Sequence, residues 1–116
     1  MQNSQNHILQ LNAAPFASIA NGSKTIEMRL FDEKRQKINV DDTITFLLRD
    51  NNEKKILVKV KALHRFSSFR ELYSQFNKTL LGYAPNEIAK PEDMEFYYSQ
   101  DDIKKYGVVG IEIEKI

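Results

Sequence analysis

Gly22-Ser23-Lys24-Thr25-Ile26-Glu27-Met28-Arg29 marks the point where a helical signal ends and an alternating one begins, and three charged side chains fall within the change. Upstream, Pro15 suits a first helical turn, Phe16-Ala17-Ser18-Ile19-Ala20 can continue it, and Gly22 tolerates the left-handed conformation that ends helices. Downstream, an extended chain alternates its side chains, so Ile26, Met28 and Leu30 share one face and Thr25, Glu27 and Arg29 the other. The apolar face is assigned to the core. A helix feeding directly into this strand brings Lys24, Glu27 and Arg29 beside one crevice, the candidate working site. Spacing alone leaves the polar face open to two readings, a site or a solvated Glu27/Arg29 surface pair.

Working outward, Ile8-Leu9-Gln10-Leu11 reads as a short first strand. Thr43 to Arg49 is rich in β-branched and apolar residues, Asp50-Asn51-Asn52-Glu53 supplies turn formers, and Lys55 to Phe66 completes an antiparallel hairpin. In the second arm Ile56, Val58, Val60 and Ala62 share a face, and His64 keeps the same parity. His64 is read as a satisfied, half-buried histidine rather than a catalytic one. From Ser67 the period changes: Phe69, Leu72, Tyr73 and Phe76 recur at helical spacing, with Ser67 or Ser68 as cap and Glu71 placed as in a capping box. That aromatic stripe is read as core rather than as a base-stacking platform. Asn77 to Pro91 carries Gly82, Pro85 and Pro91 and is expected to be irregular, with a short turn around Glu87-Ile88. Ser99-Gln100-Asp101-Asp102 opens a short helix to Tyr106, stopped at Gly107. Val109, Ile111 and Ile113 then alternate with Gly110, Glu112 and Glu114 in a terminal strand with a polar outer face.

At 116 residues, 41% hydrophobic and 28% charged, the chain fits one domain over residues 1–116, with about the first six residues expected to be flexible. Short antiparallel strands with inserted helices give an α+β fold, a small mixed or antiparallel β-barrel, since closure removes exposed edges. No strand-helix-strand series argues for a parallel sheet.

The absence of cysteine excludes disulfides, thiolate metal sites and cysteine nucleophiles, and fits a reducing compartment, so a cytoplasmic location is expected. No apolar run approaches the roughly 20 residues that span a bilayer, and Met1-Gln2-Asn3-Ser4-Gln5-Asn6 lacks the pattern of a signal peptide. The protein is therefore expected to be neither secreted nor membrane-embedded. A net charge of +1 announces no global field for nucleic acid, so any such binding must come from a local patch. Lys34, Arg35 and Lys37 form one candidate. Lys54, Lys55, Lys59 and Lys61 form a weaker one, because Lys59 and Lys61 alternate with apolar residues as the wet face of a strand would. His7 and His64 are isolated from any carboxylate cluster with ligand-like spacing, so neither a metal nor a cofactor is expected.

Pro15-Phe16, the Gly22 to Arg29 run, Phe31-Asp32-Glu33-Lys34-Arg35, Leu63-His64-Arg65-Phe66, Tyr97-Tyr98-Ser99 and Tyr106-Gly107-Val108-Val109-Gly110-Ile111 together resemble the ASCH domain, the activating signal cointegrator homology family. The likeness extends over nearly the whole chain. Its most specific part is the G-x-K-x-x-E-x-R motif joined to the closing strand. One departure is that the family often has Gly-Asp where this chain has Asp41-Asp42, which bears on the turn geometry.

The resemblance implies a PUA-like β-barrel with inserted helices, a cleft lined by the signature motif, and RNA or a nucleotide as ligand. Lys24, Glu27 and Arg29 would line the cleft, with Arg35 as a neighbouring cation. Lys24 offers a point charge for phosphate, Arg29 a fork for phosphate or a purine edge, and Glu27 an acceptor for a base amino group. Tyr98 offers a stacking face, with a core role equally open. The alternative is a small hydrolase acting on a modified nucleoside or on RNA. Some small ASCH proteins are amidohydrolases of acetylated nucleosides, with a motif lysine as base, a threonine nucleophile three residues later and a downstream glutamate. Lys24 matches and Glu92 matches loosely, but Glu27 stands at the nucleophile position. A carboxylate is a weaker nucleophile and would form an anhydride, and Thr25 is a displaced substitute. A ribonuclease would use the Lys24/Glu27/Arg29 cluster around a 2′-hydroxyl, with Glu27 within proton-transfer reach. A small-metabolite or protein-partner sensor is a third possibility.

Overall fold

The computed structural model describes residues 4–116 and runs β1 (Asn6–Leu11), α1 (Ala13–Ala20), β2 (Ile26–Leu30), β3 (Thr43–Leu48), β4 (Asn51–Phe66), α2 (Phe69–Gln75), α3 (Gln100–Tyr106) and β5 (Val108–Lys115). Short 3-10 turns cover Arg35–Lys37 and Pro91–Phe96. Of the start expected to be flexible, residues 1–3 lie outside the described residues, and Asn6 already belongs to β1. Among the described residues no helix is long and apolar enough to cross a membrane.

The strands form one sheet in the order β1-β3-β4-β5-β2, curled into a half-barrel. The β3–β4 hairpin is antiparallel as expected, and β5 finds its distant partners by inserting between β4 and β2. The β1–β3 pair is parallel, against the sequence-based expectation. The chain leaves β1 through α1 and β2 before returning as β3, and so long a crossover permits parallel pairing.

The curl leaves β1 and β2 as the two sheet edges, and a side chain ties them together. Thr43 N–H donates to the Gln5 carbonyl and Arg49 N–H to that of Leu11, so odd-numbered β1 carbonyls face β3 and that of Gln10 faces the free edge. Arg29 Nη2 on β2 donates to this Gln10 carbonyl at 2.8 Å.

Two apolar clusters flank the sheet. Leu9, Leu11, Ile19, Phe46, Val58 and Ile111 belong to the one inside the curl, and Ile26, Met28 and Leu30 pack with Phe69, Leu72, Met94 and Ile103 on the other face. The apolar side of β2 is thus buried beneath α2 and α3. Its polar side points into the curl, because Glu27 pairs with Ile111 and Arg29 with Val109, both members of the inner cluster. The solvated-pair reading of Glu27 and Arg29 is corrected here. A curled sheet gives a strand two inside faces, whereas alternation presumes one wet face.

A register shift between Val60 and Ala62 in β4 likewise breaks the parity read from sequence. Leu63 turns to the inner cluster, and His64 turns away from the face of Val58 and Val60. His64 is satisfied all the same, with Nε2 at 3.0 Å from Glu112 Oε1 and its ring edge-on to Phe76. Ser68 and Ser99 cap α2 and α3 by accepting from the Glu71 and Asp102 amides. Asp41, which occupies the position of the family's glycine, has φ of +77°.

Candidate functional site

Lys24 enters the site from the turn that ends α1. Gly22 takes φ of +87°, and the Lys24 amide donates back to the Ser18 carbonyl at 3.1 Å. Its side chain then passes beneath Gly82, where an added Cβ would stand 3.1 Å from Lys24 Cδ. Gly82 itself has φ of +107°, so both its space and its backbone conformation call for glycine. The segment bearing Gly82 was expected to be irregular, but it is anchored: the Thr25 and Ile26 amides both donate to the Leu80 carbonyl at 3.0 Å.

Both oxygens of the Glu27 carboxylate are engaged by cations. Lys24 Nζ lies 3.0 Å from Glu27 Oε1 and donates to the Leu81 carbonyl at 3.1 Å. Arg29 Nε donates to Glu27 Oε2 at 2.8 Å, and Nη2 lies at the same distance from that oxygen. Lys24 is 6% exposed and Glu27 4%, so this cation–carboxylate–cation triad is a buried unit with one net positive charge. Burial pushes the Glu27 carboxyl up, and the neighbouring Lys24 ammonium and Arg29 guanidinium outweigh it, holding the group ionised below the usual carboxylate range. Burial likewise disfavours the charged Arg29, and Glu27, aided by Tyr98, outweighs it.

A cavity of about 680 Å³ lies over the triad, within the size range of small-ligand sites. One wall comes from the β1–α1 corner with Gln10, Asn12 and Pro15, and the facing wall from Gly82, Tyr83, Met94 and Tyr98. Phe96 and Tyr97 also border it, at 89% and 63% exposure.

Lys24, Glu27, Arg29, Arg35 and Tyr98 all line this cavity. Tyr98 packs in the core, its ring stacked on Phe69 at 6.0 Å and 13°, and it also lines the cavity. Arg35 Nη1 is held by Asp32 Oδ2 at 2.7 Å. Thr25 and Glu92 are not brought to the cavity. Thr25 is built into the main chain between Leu80 and Ile113, and Glu92 pairs with Arg70 on the exposed surface at 3.1 Å.

Sequence reading missed a chain of hydroxyls on the cavity wall. Tyr83 donates to Asp93 Oδ2 at 2.8 Å, leaving its oxygen to accept from Tyr73, 2.9 Å away. Burial first, then these partners, pushes the Tyr73 hydroxyl far above its ordinary value, so it stays a neutral donor. Tyr73 carried a signal only as part of the helical apolar stripe, and nothing in the spacing of Tyr83 and Asp93 pairs them with it. Arg49 was also missed; it reaches the cavity because β3 runs beside β1.

An inward-facing strand that holds a buried ionic triad beneath a ligand-sized cavity defines a half-barrel domain with a candidate site at its seam. The profile of the ASCH domain matches residues 9–116, and the chain belongs to that family. The crystal structure of the hypothetical protein PH0355 is similar at 31% identity and a TM-score of 0.80, covering 97% of this chain and 100% of that one. The solution structure of protein PF0455 from Pyrococcus furiosus matches at 28% identity and a TM-score of 0.70, over 97% and 98% of the two chains. A mutant form of ZmASCH from Zymomonas mobilis, at 11% identity and a TM-score of 0.70 over 98% of this chain and 70% of that one, shares the fold. No curated protein matches the chain.

Proposed function

We propose that the protein binds a nucleotide, free or within RNA, in the cavity above Lys24, Glu27 and Arg29. The observation that carries this is the buried triad at the base of a cavity with cationic donors and aromatic walls. Lys24 uses two of its three N–H groups on Glu27 and Leu81, and Arg29 Nη1 has no carbonyl or carboxylate partner among the described residues. Donors therefore remain for a ligand. Glu27 fixes both cations before any ligand arrives, so little side-chain ordering opposes binding. The surplus positive charge favours an anion, and Tyr98 with its neighbours Phe96 and Tyr97 offers faces for a planar base.

The amidohydrolase form of the alternative gains no support from the geometry, and the ribonuclease form would have to use a Glu27 already paired with both cations. The lysine, threonine and glutamate that an amidohydrolase would use are not assembled, since Thr25 and Glu92 lie outside the cavity lining.

An amide-resolved NMR titration with short single-stranded RNAs, nucleotides and nucleosides, acetylated cytidine included, tests the proposal. Binding shifts signals in the segments that line the cavity and the space adjoining it, residues 10–12, 24–29, 34–35, 49, 81–83 and 96–98. Shifts elsewhere, or none with any ligand, overturn it, and new product signals would transfer the site to hydrolysis.

A further inference from the structure

A second cavity, of about 450 Å³, opens where the half-barrel fails to close, between the edges of β1 and β2. Its charged lining consists of Arg29, Lys34, Arg35 and Arg49, with no carboxylate among the lining residues. In a chain whose net charge is only +1, that is a local concentration of one sign. Glu27 and Asp32 neutralise Arg29 and Arg35, but among the described residues neither Lys34 nor Arg49 has a carboxylate within ion-pair distance. Arg49 is oriented instead by a neutral partner, its Nε donating to Asn12 Oδ1 at 2.9 Å.

Two further features point to an anionic occupant. Arg35 Nε is buried without a hydrogen-bond partner, an unusual state for a donor. Gln10, Arg29, Arg35 and Arg49 line both cavities, so the two meet along the Arg29–Gln10 link between the sheet edges. The larger cavity carries the aromatic residues and charges of both signs, whereas the charged residues of the smaller one are all cations, set beside Ile8, Leu9 and Leu47.

We infer that the β1–β2 gap is a phosphate subsite, in which Lys34, Arg35 and Arg49 hold a backbone phosphate while the attached base lies toward Tyr98. The inference rests on the nucleotide-binding proposal and narrows it: the ligand is a phosphorylated nucleotide or single strand rather than a free nucleoside. Guanidinium groups suit this task, because their planar forks match phosphate oxygens.

The test measures binding of a fluorescent oligouridylate over a range of salt concentrations, using the wild type, Lys34→Ala/Arg49→Ala, and a control of equal charge loss, Lys59→Ala/Lys61→Ala, at the end of the β3–β4 hairpin remote from Arg49, where Lys59 pairs with Thr43. Each lost phosphate contact lowers the slope of log affinity against log salt by ~0.7 for a single strand, so the gap variant should lose about 1.4. The control should keep the wild-type slope. Equal slopes for the two double variants would overturn the subsite while leaving nucleotide binding standing. A parallel NMR titration with inorganic phosphate separates the two ideas further. Phosphate shifts at Lys34, Arg35 and Arg49 without oligonucleotide binding would keep the anion subsite and sink the nucleotide proposal, whereas silence at those amides with both probes overturns the subsite.

Discussion

Glu27 and Asp42 are each 4% exposed, yet they are buried for different reasons. Asp42 sits before β3, where Oδ1 accepts from the Gln5 amide at 3.0 Å and Oδ2 from the Asn39 amide at 2.9 Å and from His7 Nε2 at 2.8 Å. Its partners are two backbone amides and the His7 ring, at the start of β1 and the approach to β3, and it does not line either cavity. Glu27 is held chiefly by two cationic side chains that still have donors to offer, beneath open space. A buried carboxylate satisfied by amides and a histidine of neighbouring segments locks a register. One satisfied by cations at a cavity floor leaves positive charge facing open space.

The contrast can be broken in order of expected effect. Glu27→Ala would leave Lys24 and Arg29 buried without their counter-charge, which typically costs about 3–5 kcal/mol, read as a lower urea midpoint together with lost nucleotide binding. Asp42→Asn replaces an acceptor with a group that opposes the Gln5 or Asn39 amide, at about 2 kcal/mol, and should leave the affinity of the folded fraction unchanged. If Asp42→Asn weakened binding as much as stability, the division between lock and site would collapse.

The same pair of residues governs acid stability. Burial raises both carboxyls, but His7 and the two amides at Asp42, and the two cations at Glu27, bring each below its ordinary value in the fold. Their contribution is therefore present above the unfolded-state value near pH ~4 and is lost as pH falls through the lower folded values. Asp42→Asn should flatten that acid-side loss in a plot of unfolding free energy against pH.

Gly82→Ala sharpens the site half of the contrast. It places a methyl 3.1 Å from Lys24 Cδ at φ of +107°, for a loss of about 1–2 kcal/mol, and displacement of Lys24 should weaken binding beyond what lost folding explains. The smallest effect is a gain. Asp41→Gly relieves a left-handed residue at the approach to the Asp42 lock, raising stability by about 0.5 kcal/mol with no change in affinity. The ion pair it removes, to Lys59 at 3.5 Å, is exposed and contributes little.

Much of this was legible along the chain. The end of α1 at Gly22, the apolar face of β2, both serine caps and the hairpin follow from local conformational preference, which acts within a few residues. The Lys24, Glu27 and Arg29 cluster was also visible, because a turn and one strand place all three. What misled was parity. A period of two says which residues share a face but not which face is wet, and it fails where a register shift inserts one residue, as it does before Ala62.

The sequence by itself determined the elements, the family resemblance and the identity of the charged triad, since each depends on neighbours in the chain. Tertiary structure alone decided that Glu27 is buried, that Tyr73, Tyr83 and Asp93 form one hydroxyl chain, and that Arg49 joins Arg29 and Arg35 across the open seam. Those facts depend on the parallel β1–β3 pairing and the curl of the sheet. Curl and strand order arise from packing between residues far apart in sequence, and no local pattern records them.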